Sequence, residues 1–134
     1  MKKYWWIVAV AALAFWLSAC GGQPEISVAA SNLDFGDVVN GEVIVREINV
    51  ENKGQADLVI EAVSTSCGCT QAAIDPMTIL PGNSGTLTIE FDSGAHGPDL
   101  TGELIRQVFI ATNDPDQPEM VLELAANILL PSNP

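Results

Sequence analysis

Cys67-Gly68-Cys69 is where this chain has the residue types for chemistry. Two thiols flank a glycine, which leaves the backbone free to curl. Three readings follow. A tight turn can bring the two Cα atoms within the ~4.4–6.8 Å that a disulfide needs. So small a ring is strained and easily reduced, which suits a redox role. Alternatively the pair, as thiolates, selects a soft metal such as copper(I) or zinc. Zinc usually takes four ligands, and the further donors in reach of the argument are His96, Met77 and Met120. The third reading is structural: two small residues, bonded or not, that pack a loop. Cys67 and Cys69 are therefore a candidate disulfide or redox pair, and with His96 candidate metal ligands. No catalytic residue and no cofactor is assigned, with copper or zinc as the alternative.

The third cysteine serves a different purpose. Lys2 and Lys3 precede an apolar run from Tyr4 to Trp16, and Leu17-Ser18-Ala19 leads into Cys20-Gly21-Gly22. A positive start, a short apolar middle and small residues form the layout of a secretory signal. A membrane span needs ~20 apolar residues, and Tyr4–Ala19 is shorter. The cysteine at the end of the run resembles the lipobox of bacterial lipoproteins. That resemblance implies cleavage before Cys20 and a lipid on its sulfur. Stable anchoring takes more than one acyl chain, which lipoproteins usually carry. The expected organisation is a signal peptide over 1–19, a lipidated tether over 20–25 and one domain over 26–130. The expected location is extracytoplasmic, anchored to a bacterial membrane through Cys20.

Removing the signal changes the composition. All seventeen acids lie beyond Cys20, and only Arg46, Lys53 and Arg106 remain positive, a formal balance of −14. Such a surface repels phosphate backbones and anionic lipid heads, so no nucleic-acid partner is expected. Trp and Tyr leave with the signal. Phe35, Phe91 and Phe109 are the remaining aromatics, too few for the stacking platforms of single-strand or sugar sites. A hydrolase needs a nucleophile, a base and an orienting group. One histidine and no nucleophile motif argue against it.

The elements that must position the cysteines read as strands. Leu87, Ile89 and Phe91 alternate with Thr86, Thr88, Glu90 and Asp92, the half-buried strand pattern. Val43–Glu51 alternates likewise, with Ile44, Arg46, Ile48 and Val50 on one side. Leu58, Ile60 and Ala62 form the apolar side of the next strand. Gly102–Thr112 and Met120–Leu129 close the set. Ile26–Phe35 is a first strand region, broken near Ser31-Asn32, then turned by Gly36–Gly41. Ala72–Leu80 is a weaker one, interrupted by Pro76. About seven strands with turn clusters between them indicate an all-β, Ig-like antiparallel sandwich.

Asp34-Phe35-Gly36, Gly41, Asn52-x-Gly54 with Leu58, Ser66-Cys67-Gly68-Cys69-Thr70, Pro81-Gly82, Phe91 and Thr112-Asn113-Asp114-Pro115 occur in this order. In that order the chain resembles a bacterial family of uncharacterised Ig-like domains with a Cys-Gly-Cys-Thr motif. That family is similar to Hydin-like and major-sperm-protein-like sandwiches, which mostly act as binding and scaffolding modules. The resemblance spans roughly residues 25–128. One departure is Ile48 and Val50, where relatives often carry phenylalanine. The resemblance implies a sandwich and a binding role, and lends no activity.

In a sandwich whose strands alternate up and down, every second connection lies at the same end. The 36–41, Cys67–Cys69 and 93–101 loops should then share one end, and the N-terminus the other. The expected function is a tethered, non-catalytic binding or scaffolding module with a protein partner in the envelope. The alternative is a thiol-redox or copper-handling lipoprotein that uses Cys67 and Cys69.

Overall fold

A computed structural model describes residues 21–132. Cys20 and the expected signal peptide over 1–19 lie outside the described residues. Nine strands are present among them: β1 (Ile26–Val28), β2 (Asn32–Val39), β3 (Val43–Asn52), β4 (Leu58–Thr65), β5 (Thr70–Asp75), β6 (Thr78–Ile79), β7 (Ser84–Asp92), β8 (Gly102–Thr112) and β9 (Glu119–Leu129). One sheet has the order β1-β3-β7-β5, the other β2-β9-β8-β4-β6. The fold is an all-β, Ig-like sandwich.

The inner faces meet by period-two burial. Leu87, Ile89 and Phe91 of β7 face Leu122, Leu124 and Ile128 of β9 across one apolar core. Each such side chain contributes roughly 1.5–3 kcal/mol by leaving water. Arg46 sits at a core-facing parity of β3 yet remains exposed. Its guanidinium carbon lies 5.5 Å from the centroid of Phe35, which pairs with Phe91 at 6.0 Å. The cation thus closes the core edge over an aromatic face.

Nine strands replace the expected seven because two strand regions divide between sheets. The first leaves β1 in one sheet and resumes as β2 in the other, breaking at residues 29–31. The fourth divides into β5 and β6 around Pro76, which has no N–H for a ladder bond. The division also produces a pairing that is not antiparallel, β2 with β9. Gly36–Gly41 is not one turn. Gly36 adopts φ +67° and forms a bulge, and β2 continues to Val39. Ala62 is exposed and not on the core side. The register of β4 shifts between Ile60 and Ala62, so the bulge reverses the parity and turns Val63 inward.

Each divided region keeps its direction: β1 and β2 run the same way, as do β5 and β6. The up-and-down alternation therefore survives. Val43 pairs with Asp92 at one end of β3, and Glu51 with Ser84 at the other. Ten residues at ~3.3 Å each separate the two ends by roughly 30 Å.

Candidate functional site: the Cys67–Cys69 end

Three connections meet at the Val43 end. They are the 40–42 turn between β2 and β3, residues 66–69 between β4 and β5, and residues 93–101 between β7 and β8. Cys67 and Cys69 are joined by a disulfide, with Cα atoms 5.4 Å apart. The loop that holds them is pinned at both margins. Ser66 N–H donates to the Gln107 carbonyl at 2.9 Å, and Gln107 N–H to Ser66 Oγ at 2.9 Å. Asp92 N–H donates to the Cys69 carbonyl at 2.9 Å. Thr65 Oγ1 lies 2.9 Å from both the Cys67 and the Thr70 carbonyl oxygens. Cys69 is buried and Cys67 half-buried.

Thr70, the residue after the pair, is buried, and its hydroxyl touches both sulfurs, at 3.6 Å from Cys67 Sγ and 3.7 Å from Cys69 Sγ. A hydroxyl there can donate to either sulfur when it carries charge.

His96 comes from the opposite loop. It is exposed, and a ring nitrogen lies within 4.8 Å of both cysteine sulfurs. The loop is not free to wander. Asn40 Nδ2 donates to the carbonyls of Gly97 (3.0 Å) and Leu100 (2.9 Å). Asp92 Oδ1 accepts from Gly94 N–H at 2.9 Å. Gly94 lies so close to the 40–42 turn that a Cβ would stand 3.0 Å from Gly41 Cα. Ser93, buried, reaches the carbonyls of Val39 and Glu42 with its hydroxyl. His96 is thus fixed between Gly94 and Gly97, both anchored to the 40–42 turn.

Met77 and Met120 do not join this group. Met77 accepts from Ile60 N–H beside the start of β4, and Met120 pairs with Ile110 near the end of β8. Both positions belong to the far half of the sandwich. Cys67, Cys69 and His96 are legible in the sequence as candidates, whereas Thr70 and Asn40 are not. Thr70 is visible in the Cys-Gly-Cys-Thr motif. Asn40 carried no signal, since its partners are 57 and 60 residues away.

The chain's N-terminal segment docks at the opposite end. Gln55 N–H donates to the Gln23 carbonyl (2.8 Å) and Lys53 N–H to the Glu25 carbonyl (2.9 Å). A side chain on Gly54 would collide with Gln23–Glu25. A shallow hollow of about 360 Å³ lies elsewhere, on the outer face of the five-stranded sheet, lined by Asp34, Asp37, Glu103 and Ile105 among others. It contains neither thiol nor imidazole.

Solved structures share this architecture. A protein of unknown function from Porphyromonas gingivalis W83 is 26% identical with a TM-score of 0.65, over 79% of this chain and 46% of that one. This chain thus spans about half the length of that relative. The ASH / PapD-like domain of human CEP192 aligns with a TM-score of 0.62 at 11% identity, over 82% of this chain and 89% of that one. The periplasmic chaperone SfaE aligns with a TM-score of 0.52 at 14% identity, over 81% and 58%. The last two likenesses concern the fold. No curated protein matches the chain. Residues 26–128 match a family model over most of the chain, and the protein belongs to the family described as "Protein of unknown function (DUF1573)".

Proposed function

We propose that this protein is a non-catalytic Ig-like binding module, tethered outside the cytoplasm by lipid on Cys20, that presents its Cys67–Cys69 end to a protein of the cell envelope. One observation carries the reading. The segment leading from Cys20 docks at the 53–55 end, while the disulfide and His96 occupy the other end, roughly 30 Å away. A lipid at residue 20 would then hold one end at the bilayer and direct the other outward. The sequence of Lys2-Lys3, an apolar run and Leu17-Ser18-Ala19-Cys20 supports the tether. The ASH / PapD-like domain of CEP192 and the periplasmic chaperone SfaE offer a precedent for the fold.

A second reading rests on a specific contact. Thr70 Oγ1 touches both sulfurs of the disulfide, an arrangement suited to stabilising a thiolate during exchange with a partner thiol. Crosslinking in intact cells, followed by capture, separates the two. The module reading expects the same partner to be captured by the wild type and by the Cys67→Ser/Cys69→Ser variant. The exchange reading expects a mixed disulfide that the variant loses. An exported chain that keeps Met1 and an unmodified Cys20, read by intact mass, would contradict the tether.

A further inference from the structure

The donor atoms at the Cys67–Cys69 end sit where the core meets solvent: Cys69 is buried in the apolar core, Cys67 packs against it and His96 is exposed. Cys67 Sγ, Cys69 Sγ and a His96 ring nitrogen all lie within 4.8 Å of one another. A thiolate and an imidazole on one ion stand at most about 4.3 Å apart, the sum of a ~2.3 Å metal–sulfur and a ~2.0 Å metal–nitrogen bond. Reduction must let the two bonded sulfurs separate, and the His96 loop must then close on them by roughly 0.5 Å or more to share one ion. While the sulfurs are bonded to each other they carry no charge for a cation. Reduction by a dithiol changes this. Two electrons and two protons pass to the Cys67–Cys69 bond, which breaks, and the dithiol becomes a disulfide. Each freed thiol releases a proton when it binds a cation.

We propose that the reduced loop is a copper(I) site, with the Cys67 and Cys69 thiolates and the His96 imidazole as its three ligands, and that dithiol–disulfide exchange switches it on and off. In the reverse direction a partner disulfide accepts the two electrons together with two protons, the Cys67–Cys69 bond re-forms and the cation leaves. Thiolate donors select soft ions. Structural zinc sites take four protein ligands, and among the described residues no fourth His, Cys, Asp or Glu joins this cluster. Thr70 Oγ1, at 3.6 and 3.7 Å, is placed to donate its one proton to either thiolate. Asn40 pins the loop that carries His96. The chain's formal net charge of −12 draws cations toward it. None of this depends on lipid at Cys20.

The test is an anaerobic titration of the detergent-solubilised full chain with copper(I) against a coloured copper(I) chelator. The reduced wild type should withdraw one copper(I) per chain. The oxidised wild type and the Cys67→Ser/Cys69→Ser variant should bind about a hundredfold more weakly or not at all. The double variant keeps Cys20, so any copper held by that thiol is subtracted. His96→Ala, on an exposed loop, should weaken binding about tenfold or more, and absorption at the copper edge should show two sulfurs and one nitrogen that this variant loses. Equal affinity in the oxidised and reduced chains would overturn the proposal, and so would an unchanged His96→Ala. Should the double variant fail to fold, the folded, oxidised wild type provides the same comparison.

Discussion

The two ends of the sandwich are built on opposite principles. At the 53–55 end, buried polar groups are saturated. Asn52 is 1% exposed and its side chain uses every donor and acceptor direction. Its Oδ1 accepts from Glu25 and Gly54 N–H, and its Nδ2 donates to the Ala56 and Ile79 carbonyls. Asp114, also buried, accepts from Ile26, Asp116 and Gln117 N–H. At the Cys67–Cys69 end, buried polar groups hold loops, and the loops leave a disulfide and an imidazole within reach of solvent. One end spends its polar residues on joining the N-terminal segment to the turns. The other uses them to hold the loops that carry the disulfide and His96. The saturated polar closure and the sulfur–imidazole cluster thus lie at opposite ends of the strands.

That contrast can be broken, beginning with the largest effect. Asn52→Leu removes four bonds and strands backbone groups in a dry site, where each costs about 1–3 kcal/mol. Losses of this kind are not additive, so a destabilisation of about 3–4 kcal/mol is expected in urea unfolding. Asp114→Ala should cost about 2 kcal/mol by the same measurement, since three N–H groups lose a charged acceptor. The Cys67→Ser/Cys69→Ser variant should lose about 1.5 kcal/mol at most. A three-residue ring removes little entropy from the unfolded chain. His96→Ala should lie within about 0.5 kcal/mol of wild type, as a surface change. A reversed ranking, with the disulfide worth more than Asn52, would erase the proposed division between the two ends.

Much of the framework was readable from the order of residues, for physical reasons that also explain the gaps. Alternation at Thr86–Asp92 and Gly102–Thr112 marks β7 and β8 because each buries one face. Period two does not say which sheet a strand joins, so the breaks near Ser31 and at Pro76 were legible while the change of sheet at each was not. The three-residue β1 and two-residue β6 carry too little pattern to be seen alone. The parity error at Ala62 came from a bulge, which one inserted residue produces without a composition signal. The meeting of the 36–41, Cys67–Cys69 and 93–101 connections followed from alternating strand direction, although the first is a turn at 40–42 only. The Asn40 contacts and the Thr70 hydroxyl did not, because they depend on side chains meeting across distant segments. Asn52 was legible as a turn residue only. Its burial and four bonds arise from what folds over it.

The orientation of the molecule is tested most directly by placing a photo-crosslinking amino acid at one exposed position of each end, in living cells. Pro98 lies in the loop with His96, and Asn83 in the turn before β7 at the other end. The account predicts a discrete protein adduct from position 98 and none of comparable yield from position 83. An adduct formed from position 83 and absent from position 98 would contradict it.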